Sequence, residues 1–226
     1  AQTVDVAGSS PTTGDIKEFF YDSTDDLLYG IGRVSNAGGQ TVDGIVAWDG
    51  TDWVAKGDQS LLGGPLWGNY NPNSITRNGD TLYAMAADIT HSSGNPMTFL
   101  MYWDETVSNW KNKSYGLFGN DYQLVSYSDT LFIVGNVSGG LDLSEDISAY
   151  NSLGEMAYWT GSRWEKYNSA PNFDQNTLRA VVIGGALYIG GYKYEAGVWT
   201  NSGLPNCINS LGKWGNKVVY LSLIHI

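Results

Sequence analysis

The sequence predicts an all-β protein of consecutive four-stranded antiparallel blades, and three observations predict it. First, a turn followed by Leu–aromatic recurs: Asp26-Leu27-Leu28-Tyr29, Asp80-Thr81-Leu82-Tyr83, Asp129-Thr130-Leu131-Phe132 and Gly185-Ala186-Leu187-Tyr188, with a fifth copy at Asn216-Lys217-Val218-Val219-Tyr220. The aromatic positions 29, 83, 132, 188 and 220 are spaced by 54, 49, 56 and 32, and a recurrence of this length marks a supersecondary repeat. Second, tryptophans follow the anchors in register: Trp48, Trp103, Trp159 and Trp199, then Trp53, Trp110 and Trp164 after the first three. Seven of the nine tryptophans thus sit on repeat positions, leaving only Trp67 and Trp214 off them, so these indoles serve packing first. Third, the chain has 29 glycines and 13% aromatics, the profile of short strands joined by tight turns. No stretch places apolar residues at i, i+3, i+4 and i+7 over a polar far face, so long amphipathic helices are not expected.

Taken in order, Thr3-Val4-Asp5-Val6-Ala7-Gly8 reads as a leading strand within residues 1–14, resembling the last strand of a blade. Blade 1 is expected over 15–57, blade 2 over 73–116, blade 3 over 121–168, an abbreviated blade 4 over 177–204 and a partial blade over 208–220, all in a single domain, 1–220. In blade 2, strand A lies near Ser74–Arg77 and turns at Asn78-Gly79, a strong hairpin dipeptide. Strand B is Thr81–Ala87, strand C is Thr98–Trp103, and a turn at Asp104–Asn109 leads to strand D near Trp110–Lys113. In blade 1 the C–D turn is Asp49-Gly50-Thr51-Asp52, short enough to place Trp48 and Trp53 as a cross-strand pair on one face. Leu131-Phe132-Ile133-Val134 is apolar at every position, as a strand covered on both faces must be. Sheets that stack face to face around an axis bury both faces, and a repeated four-stranded unit of this size is a β-propeller blade. Tyr29, Tyr83, Phe132, Tyr188, Leu28, Leu82, Leu131 and Leu187 are therefore expected in blade cores or between blades.

The repeats resemble those of kelch-like and galactose-oxidase-like propellers. Leu187-Tyr188-Ile189-Gly190-Gly191 looks like the apolar–Gly–Gly end of a kelch strand B, and Trp48-Asp49-Gly50-Thr51-Asp52-Trp53 is similar to the C–D hairpin of both groups. The closest resemblance is to Trp-Asp-Gly-rich repeats of surface-exposed bacterial proteins. It covers about residues 15 to 220 and implies an extracellular or cell-surface location. The double glycine is degenerate elsewhere, as in Gly30-Ile31-Gly32. The copper chemistry of galactose oxidase does not carry over, because two histidines, one of them in the terminal six residues, are too few.

Those six residues, Leu221-Ser222-Leu223-Ile224-His225-Ile226, match codon for codon the translation of a transposase-based sequencing adapter, CTG TCT CTT ATA CAC ATC, and are expected to be a non-native tail of a metagenomic fragment. A native strand is the alternative, since the stretch is apolar and β-prone. If the tail is foreign, the chain is an open arc whose terminal blades expose apolar faces and can self-associate. The rival arrangement is a five-bladed ring, with residues 3–8 hydrogen-bonded to 216–226.

Composition narrows the partners. Twelve basic against 23 acidic side chains give a net charge of −11, which argues against nucleic acid and anionic membrane surfaces. No apolar run approaches the roughly 20 residues of a membrane-spanning helix. The single cysteine, Cys207, excludes an internal disulfide and a cysteine-pair metal site.

In a blade whose strands alternate in direction, the A–B and C–D turns share one side and the B–C and D–A loops the other. The longer loops, and hence the expected binding side, are the B–C and D–A ones. Trp67 and Tyr70 in the loop 58–72 form an aromatic platform for a sugar ring or a protein, or a plug between blades. Asn120, Asp121 and Tyr122 are expected in the next D–A loop, and Asn172, Phe173, Asp174 and Gln175 in the one after, as binding residues or turn formers. His91, in the B–C loop of blade 2, is a possible base or ligand beside the plainer reading of a surface histidine. The long B–C loop of blade 3 carries Asp142, Glu145 and Asp146, an oxygen set that Ca²⁺ can use, or simply a solvated acidic loop. No other cofactor or metal site and no catalytic set is expected.

The expected function is a non-enzymatic module that binds glycan or protein through the B–C/D–A side. One alternative is a polysaccharide lyase or hydrolase, which needs two acids about 5–9.5 Å apart; Asp88, Asp121, Asp142 and Asp174 are placed for it by loop position. The other is a structural spacer within a larger surface protein.

Overall fold

The structure, a computed structural model, describes residues 13–42, 44–57, 74–90, 96–140, 153–173, 179–204, 210–214 and 217–221. Blade 1 is built from β1 (Thr13–Asp22), β2 (Leu27–Ala37), β4 (Ile45–Trp48) and β5 (Trp53–Ala55), with β3 (Gln40–Thr41) hairpinned onto the far end of β2. Blade 2 is β6 (Ser74–Asn78), β7 (Thr81–Thr90), β8 (Pro96–Asp104) and the first part of β9 (Asn109–Tyr127). The rest of β9 joins β10 (Thr130–Gly140), β11 (Gly154–Trp159) and β12 (Trp164–Lys166) as blade 3. Blade 4 is β13 (Ala180–Ile183), β14 (Ala186–Ile189), β15 (Tyr192–Glu195) and β16 (Val198–Asn201). A last hairpin, β17 (Ser210–Trp214) with β18 (Lys217–Leu221), follows. Among the described residues there is no helix. The fold class is all-β, a β-propeller of four four-stranded antiparallel blades.

Three expectations need correction. Blade 4 is not abbreviated: all four strands are present, because its C–D connection is a tight turn at Ala196-Gly197, both at positive φ (49° and 84°). Residues 120–122 are not a D–A loop. They run inside the 19-residue β9, where Asn120 pairs with Asn136 and Gln123 with Val134. Asp121 and Tyr122 thus stand opposite the single residue Gly135, and this bulge absorbs the polar residues without breaking the strand. Leu28, Tyr83 and Tyr188 are only half-buried, whereas Tyr29, Leu82, Leu131, Phe132 and Leu187 are buried as expected. The leading strand at 3–8 lies outside the described residues, as do 222–226; Leu221 ends β18, paired with Ser210.

The described residues fall into two compact units, the first ending in β9 at Lys113 and the second resuming at Ser114. In the first, Tyr29, Ile31, Ile45 and Ala47 of blade 1 pack on Ile75, Leu82, Ala84, Met101, Trp103 and Trp110 of blade 2. The other face of blade 1 gathers Val34, Ala37, Val42, Val46 and Trp53, with Ile16, Leu28 and Trp48 half-covered. In the second, Phe132 and Val134 of blade 3 meet Leu187 and Ile189 of blade 4. Strand side chains alternate between faces, so the two members of each Leu–aromatic dipeptide stand on opposite faces of their sheet. Within each unit, the aromatic of one blade meets the leucine of the next. Leu131→Ala is expected to cost about 2–5 kcal/mol in equilibrium denaturation, as fits a fully buried leucine; a loss below ~1 kcal/mol would contradict the register.

The tryptophan pairs stand as expected. Trp48 lies directly across from Trp53 and Trp159 from Trp164, with ring centroids 5.7 and 5.4 Å apart; Trp103 and Trp110 are 5.5 Å apart. Asp49 Oδ1 closes the blade 1 turn by accepting from the Thr51 and Asp52 amides at 2.8 and 2.9 Å. Thr160 Oγ1 does the same for blade 3, accepting from the Arg163 amide at 3.1 Å. Gly57 is required where it stands, at φ +82°, since a Cβ there would meet Trp103 Cζ3 at 2.7 Å.

Two polar devices complete the units. At the A–B end of the first, Arg77 Nε donates to Asp22 at 2.6 Å and Nη2 to Asp25 at 2.7 Å, while the Tyr29 hydroxyl also donates to Asp25 at 3.1 Å. Burial pushes the Tyr29 hydroxyl's pKa up, and the charge and hydrogen bond of Asp25 add to that. In the second unit the Gln123 amide takes both backbone groups of Ala180, accepting from its N–H at 2.7 Å and donating to its carbonyl at 3.1 Å. It thereby caps part of the open edge of β13.

The turn after β8 supplies a pH test. Hydrogen bonds from Lys111, then from Thr106, hold the Asp104 carboxyl down at about 2. A depressed folded-state pKa adds stability that is fully present above the unfolded value near 3.9 and lost as pH falls toward ~2. Carbonyl NMR titration of Lys111→Met is expected to move the Asp104 midpoint upward; an unmoved midpoint would refute the assignment.

Candidate functional site

A cleft of about 570 Å³ opens in the second unit between blades 3 and 4. Its size is that of a small-ligand site. Tyr127 ends β9 and Ser128 follows it in the A–B turn of blade 3, Phe132 comes from the start of β10, and Tyr158 from β11. Lys166 ends β12 and Tyr167, Asn168 and Ser169 follow it, while Tyr194 precedes the turn Ala196-Gly197 of blade 4. The cleft therefore lies on the side of the A–B and C–D turns.

The sequence folds this way because Tyr127 and Tyr194 are the last side chains on one face before tight turns. Ser128 and Asp129 adopt positive φ (48° and 59°), and this sharp turn leaves Tyr127 paired with Thr130. The floor is an aromatic lattice. Phe132 meets Tyr167 at 5.4 Å and 85°, Tyr158 meets Tyr167 at 6.3 Å and 86°, and Tyr167 meets Tyr194 at 6.1 Å and 79°. Such edge-to-face contacts are favourable beyond area burial by ~0.5–1.5 kcal/mol each. They fix each ring in place, so the floor is preorganised.

The hydroxyls are directed too. Tyr167 donates to the Tyr194 hydroxyl at 2.7 Å, which leaves the Tyr194 proton available as a donor. Tyr158 donates to Glu165 at 2.7 Å, and Arg163 Nε donates to the same carboxylate at 2.9 Å. Burial, then the bond to Tyr194, raises the Tyr167 pKa; the hydrogen bond to Glu165, then burial, raises that of Tyr158. Both therefore stay protonated donors through the physiological range. None of the twelve described lining residues carries a carboxylate.

None of the candidates read from sequence is among the twelve described residues that line the cleft. Trp67, Tyr70, His91, Asp142, Glu145, Asp146 and Asp174 lie outside the described residues, and Cys207 with them. Asp121 and Tyr122 lie in β9. Asp88 is in β7, and Phe173 is buried against Tyr192 and Trp199 as core. Among the described residues no cluster of three metal-ligating side chains occurs, and no helix is long and apolar enough to cross a membrane. Sequence reasoning passed over the tyrosines of the cleft. The available signal was that Tyr127, Tyr158, Tyr167 and Tyr194 all fall off the Leu–aromatic anchors.

No family model matches this chain. No curated protein matches it either.

Proposed function

We propose that this chain is a non-enzymatic binding module, and that the tyrosine cleft between blades 3 and 4 is where it takes its ligand, a glycan or a protein segment. The observation that carries the reading is the combination of fixed ring faces with the Tyr194 hydroxyl proton left available, in a cleft of ligand size whose described wall residues include no carboxylate. A binding site needs apolar faces for contact area and a few placed polar groups for orientation, and the cleft supplies both. The kelch-like character of the blades and an extracellular or bacterial cell-surface location belong to the same proposal. They rest on the Trp-Asp-Gly turn at 48–50 and on the apolar–Gly–Gly strand end at 187–191.

The test is a screen of oligosaccharides and peptides against the intact protein, followed by NMR of ring-labelled tyrosine. Binding is expected to shift Tyr158, Tyr167 and Tyr194, and Tyr194→Ala is expected to abolish it. If no ligand in a broad panel of both classes moves these rings, the proposal fails.

A further inference from the structure

We infer that the cleft is built for a neutral saccharide, an uncharged hexose chain that lies against the tyrosine rings and accepts a hydrogen bond from the Tyr194 hydroxyl. The inference rests on the binding reading above and narrows it to one ligand class. Charge is the first argument. Among the described wall residues Lys166 alone is charged, and its ammonium is turned away from the rings. Lys166 pairs with Ala157, and Glu165 with Tyr158, so the Lys166 side chain leaves the sheet on the face opposite Tyr158. Its Nζ lies beside Gly154, where a Cβ would stand 3.7 Å away, and Gly154 is not among the described wall residues. None of those residues carries a carboxylate either. A charged ligand group would therefore give up water in the cleft and meet no opposite charge. An anion would in addition approach a chain of net charge −11. An uncharged ligand avoids both penalties.

Polar chemistry is the second argument. Beside the tyrosines the wall carries the hydroxyls of Ser128, Thr130 and Ser169 and the amide of Asn168, groups that offer both donors and acceptors. The side chains of Ser128, Asn168 and Ser169 hydrogen-bond to no described residue, so their bonding capacity is left for ligand or water. Tyr194 accepts from Tyr167 at 2.7 Å and keeps its own proton to give. A pyranose has hydroxyls around its rim and C–H bonds on its faces, so it can meet these groups and the rings together. Backbone is the third argument. An extended peptide binds a sheet by adding a strand to an open edge. The strands that supply these rings have no open edge there: Phe132 is paired with Val125 and Tyr158, Tyr158 also with Glu165, and Tyr194 with Leu187 and Trp199. The Tyr167 amide is engaged as well, donating to the Met156 carbonyl at 3.0 Å. The cleft offers side chains rather than main chain, which suits a sugar and not an added strand.

The test is calorimetry of the full chain, with NMR of ring-labelled tyrosine. The probes are the β-1,4-linked tetramers of glucose and of mannose, the uronate tetramers of the same linkage, and a proline-rich dodecapeptide. At least one neutral tetramer is expected to bind, to shift the Tyr194 ring signals, and to bind about tenfold more tightly than its own uronate. Tyr194→Phe keeps the ring and its contacts with Tyr127 and Trp199 and is expected to lose about tenfold in affinity for that tetramer. Failure of both neutral tetramers to bind, a uronate bound as tightly as its neutral form, or an affinity untouched by Tyr194→Phe overturns the saccharide inference. If the peptide shifts the tyrosine rings and no tetramer does, the binding reading stands and only the saccharide inference falls. If neither these probes nor the panel above moves the tyrosine rings, both fall.

Discussion

Trp110→Ala is expected to destabilise the protein by about 3–5 kcal/mol, the range for removing a fully buried tryptophan. Trp110 is 1% exposed, sits in the core between blades 1 and 2 and packs edge-on to Trp103. Its indole N–H donates to the Lys56 carbonyl at 2.9 Å, tying β9 to the segment that leaves β5. Truncation therefore leaves a void and deprives that carbonyl of its donor. Trp110→Phe separates the two effects: it keeps most of the packing and loses the hydrogen bond, so its cost is expected nearer 1–2 kcal/mol. Urea denaturation followed by far-ultraviolet circular dichroism measures both. A loss below 1 kcal/mol for the alanine variant would show that the indole is not the keystone of this face.

Arg77→Met carries the second large effect, about 3–5 kcal/mol, because removing one member of a buried ion pair strands the other. The Asp22 side chain is 2% exposed and would keep a charge that water cannot reach. Asp25 would lose a partner at the same time. The double variant Arg77→Met with Asp22→Asn is expected to recover much of the loss, since the stranded charge goes with the arginine. A double variant no more stable than the single one would refute that account. The exposed pair Lys193–Glu195 is the contrast: its removal is expected to leave stability unchanged within the error of the same denaturation measurement.

Local chemistry made most of the blade layout legible. The Leu–aromatic anchors marked every strand B because a strand covered on both faces has no polar alternation to blur it. Trp48 and Trp53 could be placed across from each other because a four-residue turn fixes register. The continuity of β9 was not legible, because Asn120 and Asp121 have turn chemistry and only the bulge opposite Gly135 shows how a strand carries them. Arg77 and Asp22 lie 55 residues apart, and no local pattern joins them. The cleft was hidden for the same reason. Its tyrosines come from three strands and a connection, and what unites them is the stacking of blade 4 on blade 3 within the second unit. The loops that drew attention in the sequence were conspicuous for composition, which signals solvent as readily as function.

The placing of leucine and aromatic on opposite faces of strand B bears on how such a chain can change length over generations. Inserting or deleting one residue in a strand B would exchange the two faces, sending Leu82 away from Tyr29 and Leu187 away from Phe132. Single-residue indels in β7 or β14 should therefore be purged, while the same changes in connecting segments can persist. Duplicating or losing an entire blade preserves that parity, because every repeat carries its leucine and its aromatic on opposite faces. Gene lineages built on this dipeptide should accordingly vary by whole repeats, with gaps in their alignments confined to the stretches between strands.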